Sequence, residues 1–118
     1  LTVFLPTKQI AEKAAAKLGS ATMNKSGWHV YNNMEQILGK KTITETGCPY
    51  NCAAHPCQQE YRKGMLPATD GLLERAINIS VGVVDKGLGS AFGIHPHSTD
   101  KEIDQKAVQF IAAVKESM

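Results

Sequence analysis

Long apolar runs are missing from this 118-residue chain. A membrane-spanning helix needs roughly 20 consecutive apolar residues, and no stretch approaches that, so no membrane partner is expected. No signal-peptide pattern opens the sequence. Excess charge of one sign is missing as well. Thirteen Lys and Arg stand against eleven Asp and Glu, for a net charge of +2. A surface that tracks phosphates needs clustered basic residues, and Lys40–Lys41 and Arg62–Lys63 are the only basic pairs. No nucleic-acid partner is therefore expected. Cysteine is scarce and odd in number, at Cys48, Cys52 and Cys57. An odd count without a secretory signal argues against a disulfide framework and for a reducing, cytoplasmic setting. Repeats and low-complexity segments are absent too.

What is present fits one modest core in one domain, residues 1–118. The stretch that organises it is Leu66–Asp85, which predicts a short helix feeding a strand. Thr69 or Asp70 can cap the helix by accepting from its first N–H groups. Leu72, Leu73, Ala76 and Ile77 then fall on one helical face. From Ile77 the period changes to two. Ile77, Ile79, Val81 and Val83 point one way and Asn78, Ser80 and Gly82 the other, which predicts a strand covered on one side.

The remaining elements arrange themselves around that strand. Leu1–Leu5 is extended and ends at Pro6. A helix follows, capped by Thr7, with Ile10, Ala11, Ala14, Ala15 and Leu18 as its stripe and Gly19 at the left-handed C-terminal position. Its alanine-rich face buries little area and is expected to seek contacts outside the chain. Ser20–Gly27 is a loop, and Trp28-His29-Val30-Tyr31 has the composition of a short strand. Asn32 and Glu35 suggest a capping box for a turn of helix that stops at Gly39. Lys41–Glu45 could extend as an edge strand, and Thr46–Gly64 is a long irregular loop of the kind that carries function. Lys86–Ser90 is a turn, and Ala91–His95 is an antiparallel return strand. The last helix opens with a Thr99/Glu102 capping box and closes near Lys115, with Ile103, Ala107, Phe110, Ile111 and Val114 at helical steps. The fold expected is α/β in the two-layer α+β sense. It has a small antiparallel or mixed sheet with the three helices on one face.

Candidate chemistry is sparse. Cys48, Cys52, His55 and Cys57 could hold a metal, but their gaps do not match paired structural zinc spacing, so no metal site is expected. Gly87-x-Gly89 follows a strand, yet no helix opens there to meet a phosphate. No catalytic triad or nucleophile pair can be assembled from residue order, and no catalytic residue is named. His29 and His55 sit beside aromatic, turn-rich sequence, where ligand-facing residues tend to lie.

Taken in order, several segments resemble the C-terminal small domain of the pyridoxal-phosphate-dependent sugar aminotransferases of the DegT/DnrJ/EryC1/StrS family. Trp28-His29-Val30-Tyr31 resembles the family's H-x-Y strand. Pro49–Tyr61 (PYNCAAHPCQQEY) resembles its Tyr/Pro-rich loop, Leu66–Val83 its following helix and strand, and Ser98–Val114 its closing helix. The resemblance implies the small domain of a fold-type-I enzyme, packed on a separate N-terminal domain that holds pyridoxal phosphate, in a homodimer. The start at Leu1, in mid-pattern, fits a fragment of a longer chain. No lysine here matches the Schiff-base motif, so no cofactor is expected on this chain alone, which should be inactive. The motif match makes His29, Tyr31, Asn51 and His55 the residues expected to contact a nucleotide-linked ketosugar or similar substrate. Cys57 and the Asn33–Gln36 stretch depart from the commoner members, which leaves the substrate open, as it leaves open transamination or dehydration. The rival reading is a freestanding α/β binding module whose Cys/His loop binds zinc or senses oxidation.

Overall fold

The computed structural model describes residues 1–27, 30–51, 59–84 and 91–118. Among the described residues two strands form the sheet. Strand β1 (Thr2–Phe4) pairs antiparallel with β2 (Ala76–Asn78), in the register Thr2↔Asn78, Val3↔Ile77 and Phe4↔Ala76. The ladder runs past both strands. The Leu1 amino group donates to Ile79 O at 2.9 Å, Ile79 N donates to Leu1 O at 2.7 Å, and Leu5 N donates to Arg75 O at 2.8 Å. Between the strands lie helices α1 (Lys8–Lys17), α2 (Glu35–Leu38) and α3 (Pro67–Leu73), and α4 (Asp100–Lys115) closes the chain. The described residues thus form a small mixed α/β protein with four helices and a two-stranded antiparallel sheet.

Local chemistry accounts for the first and last helices. Thr7 Oγ1 accepts from Ile10 N at 3.2 Å, and Gly19 takes φ of +63° just after the C-cap Leu18. That conformation is cheap only without a Cβ. At α4, Thr99 N donates to Glu102 Oε2 at 2.7 Å and Glu102 N donates to Thr99 Oγ1 at 3.4 Å, completing the expected capping box. Lys115 stands in the last turn, where the helix dipole favours a cation.

The core falls in two patches. Leu5, Ala11, Ala14, Ala15 and Ile77 form one, flanked by Val3, Ile10 and Val114. Leu18, Phe92 and Ala113 form the other, flanked by Ile79 and Phe110. The alanine stripe of α1 is therefore spent inside the chain, between β2 and α4, rather than turned outward as its small area suggested. Alanine lets the helix axes approach closely, and Ala11 and Ala14 are both 0% exposed. Helix α3 packs instead against a turn of 3₁₀ helix at Met23–Lys25.

Several expectations change. The helix at 66–73 is not capped by Thr69 or Asp70; it starts at Pro67, with Leu66 as N-cap. Proline's fixed φ suits the first helical position, and the Asp70 carboxylate is engaged elsewhere. Asn32 does not cap α2 either. Met34 is the N-cap, and Asn32 lies in a 3₁₀ turn, Tyr31–Asn33. Of the expected strand 28–31, Trp28 and His29 lie outside the described residues. Val30 is extended, and Tyr31 has already turned.

The strand expected over Ile77–Val83 is regular only over Ala76–Asn78. Ser80 Oγ turns back on the Val83 carbonyl and takes Gly82 N, an alternative to ladder pairing that ends the strand. Val81 and Val83 are consequently exposed, at 61% and 70%. The return segment 91–95 is not an antiparallel strand. It meets Ser80 through a single parallel bridge at Gly93. Lys41–Glu45 makes no strand, because Thr42 and Thr44 spend their hydroxyls on local carbonyls. The described parts of the 46–64 loop are irregular, as expected; its centre and the 86–90 turn fall outside the described residues.

Candidate functional site

Two segments far apart in sequence, 31–32 and 64–70, meet at Asp70. Its Oδ2 accepts from the Tyr31 hydroxyl at 2.8 Å, and its Oδ1 accepts from Asn32 Nδ2 at 2.8 Å. Tyr31 Oη in turn accepts from Leu66 N at 3.0 Å, and Asn32 Oδ1 accepts from Gly64 N at 3.0 Å. All three side chains are half-buried. The local reason is the 3₁₀ turn, which places consecutive residues 31 and 32 toward the same carboxylate. The next residue, Asn33, anchors the other side by donating to Gly27 O at 2.9 Å. Both carboxylate oxygens thus accept a charge-assisted bond from a side chain.

Elsewhere, Tyr50 and Tyr61 meet edge to face at 5.5 Å between ring centroids, and Lys40 Nζ sits 5.9 Å from the centre of the Tyr61 ring. These rings bracket the loop that carries Asn51 and His55. Asn51 is exposed; its N–H donates to Gly47 O at 2.9 Å, and its side chain faces solvent. Among the described residues no hydrogen bond joins Asn51 to Tyr31. Of the four expected substrate contacts, His29 and His55 lie outside the described residues. Asp70 and Asn32 were missed as site residues. Acid and amide partners 38 residues apart leave no local signal.

Several clefts lie along α4, and two of them reach the 93–94 segment. An apolar groove of about 350 Å³ runs between the helix and the sheet end, lined by Val3, Ile79, Val81, Phe92, Ile103 and Phe110. Lys106 lies on its rim, with Nζ 4.9 Å from the centre of the Phe92 ring. A second, more polar cleft of about 330 Å³ is lined by His95, Ser98, Glu102, Gln105 and Lys106. The Glu102 carboxyl is held below its ordinary value of 4.5, first by the Thr99 amide and then by the Thr99 hydroxyl. At the α4 N-terminus that carboxylate takes the Thr99 amide, and Thr99 Oγ1 takes the Glu102 amide.

Five of the described lysines are placed in ways that do not suit a Schiff base. A Schiff-base lysine must be desolvated enough to lose its proton readily. Lys8, Lys17, Lys25 and Lys41 instead pair with Glu74, Glu116, Glu12 and Glu35 at the surface. Lys8 is pushed up by its hydrogen bond to Glu74, the wrong direction for a nucleophile. Lys106 Nζ rests over the face of the Phe92 ring. Among the described residues no three of His, Cys, Asp and Glu gather closely enough to hold a metal ion. Cys52, His55 and Cys57 fall outside them, so the Cys/His loop is not reached. Among the described residues no helix is long and apolar enough to cross a membrane. Comparison with protein-family models, with curated proteins and with solved structures yields no match for this chain.

Proposed function

We propose that this chain is the cleft-forming small domain of a pyridoxal-phosphate-dependent aminotransferase, or of a related dehydratase, acting on a nucleotide-linked ketosugar or similar polyol. The cofactor would be held by a separate N-terminal domain, in a homodimer. The observation that carries this reading is the Tyr31–Asp70 hydrogen bond of 2.8 Å. It joins the aromatic segment and the 66–83 segment, two of the stretches that together carry the resemblance.

A second feature supports a larger assembly. The radius of gyration is 18.1 Å, against roughly 13–14 Å for a compact domain of this length. Apolar side chains at Val81, Ile103, Val108 and Ile111 remain exposed. Patches of that kind mark surfaces that another body covers.

In this role the chain binds and orients substrate and moves no proton. His29, Asn51 and His55 are the proposed contacts, supplying amide and imidazole hydrogen bonds to sugar hydroxyls or a phosphate. Tyr31 is the fourth proposed contact. Pyridoxal phosphate, bound elsewhere, would supply the electron sink. The test is the reading frame upstream of Leu1, followed by purification of its whole product. A domain with a lysine after a strand, and visible absorbance from a lysine-bound cofactor, is the expected result. A product without either would overturn the reading.

A further inference from the structure

We infer that Asp70 is a positioning residue: through Tyr31 and Asn32 it latches the 64–66 segment, the C-terminal stem of the loop, onto the 31–32 turn. This goes beyond the functional reading and does not depend on it.

Each polar atom in the node has one job. The Asp70 carboxylate is acceptor only, and both of its oxygens are taken by side-chain donors at 2.8 Å. The Tyr31 hydroxyl has one proton, given to Asp70, so its remaining capacity is to accept, and it accepts Leu66 N. Asn32 is oriented the same way. With its NH2 on Asp70, its carbonyl must face Gly64 N. Removing the carboxylate leaves both side chains without the partner that sets their direction. The stem then loses its two backbone anchors together.

The arrangement also explains why Gly64 sits at φ of +74°. The chain reverses there, and its N–H is turned inward to Asn32 rather than left to solvent. Immediately before it stand Arg62 and Lys63, both exposed and followed by no proline. They make two trypsin sites hard against the latch. A protease needs several residues in extended form, so cleavage there reports release of the stem.

Four forms of the full chain test the inference: unaltered, Asp70→Asn, Asn32→Asp, and the exchange that carries both. Asp70→Asn mismatches a donor with a donor, and Asn32→Asp sets two carboxylates face to face. The exchange restores one carboxylate and one amide, with Gly64 N and the Tyr31 hydroxyl still facing oxygen. Each single change is expected to speed tryptic cleavage after Arg62 and Lys63 about tenfold. Cleavage after Lys13, inside α1, should stay level, and the exchange should return the rate to within about twofold of the unaltered chain. An unchanged rate in the single variants overturns the inference. So does an equal rise at Lys13, which would mean general loosening, or an exchange that fails to recover. Because the readout needs neither substrate nor cofactor, loss of the functional reading would leave this result standing.

Discussion

Gly93 lies flat on Ser80. Ser80 N donates to Phe92 O at 3.0 Å and Ile94 N donates to Ser80 O at 2.9 Å, so the residue between them is drawn against the Ser80 backbone. A Cβ at Gly93 would meet Ser80 O in a hard clash and lie 2.6 Å from Ser80 N. The φ of +151° adds conformational cost for any side chain. Backbone cannot move aside as a flexible side chain can. Gly93→Ala is therefore expected to destabilise by about 2–4 kcal/mol, read as a fall in the urea midpoint. Gly71→Ala is the control. Open space surrounds that position, which lies inside α3, and substitution there should leave the midpoint unchanged or raise it.

Ile77 joins the sheet to α1. It is 0% exposed and sits among Leu5, Ala11, Ala14 and Ala15. Small neighbours on a helix surface collapse poorly into a void. Ile77→Ala is expected to cost about 3–5 kcal/mol, and Ile77→Val about 1 kcal/mol, by chemical denaturation. Equal effects from the two would mean that this patch does not carry the fold.

The α4 cap predicts a pH dependence with a definite sign. The folded Glu102 carboxyl lies below its ordinary 4.5, chiefly through the Thr99 amide. A group depressed on folding contributes stability above its unfolded value, and that contribution is lost as pH falls through the folded value. Glu12, held down by Lys25, and Glu116, held down by Lys17, share the sign. The thermal midpoint should hold from neutral pH to about 5 and decline below it. Glu102→Gln should shallow the decline. Thr99→Ala should lower the midpoint at neutral pH, by about 1 kcal/mol of stability.

What the sequence disclosed divides by range. Thr7, Gly19, Thr99 and Glu102 act on backbone within four residues, and each stands where its local pattern placed it. Asn32 carried the same kind of cap signal, and Asp70 offered one as well. Both were diverted by each other, across 38 residues, because a charge-assisted bond outweighs a neutral cap. Strand length failed for a related reason. Alternation at Ile77–Val83 is a statement about faces, whereas a strand persists only where another strand pairs with it. The described residues supply one bridge at Ser80 and none beyond it, and Ser80's own hydroxyl donates to the Val83 carbonyl. The alanine stripe was legible as a face but not as an interior one, since burial depends on what packs above it.

The exposed face of α4 gives the last prediction. Ile103 and Phe110 line the apolar groove with Ile79 and Val81, and Ile103 is 39% exposed while Ile111 is 52% exposed. These side chains stabilise the chain little where they stand, because much of each remains in water. Ile103→Ser and Ile111→Ser should therefore change the unfolding midpoint by less than about 1 kcal/mol. They should nonetheless reduce binding of an apolar dye in proportion to the surface removed. Phe110→Ala is the contrast. Its ring lies 6.4 Å from that of Phe92 in the second core patch, so it should both destabilise and increase dye binding. If Ile103→Ser and Ile111→Ser destabilised as much as Phe110→Ala, the groove would be part of the core rather than a surface open to a partner.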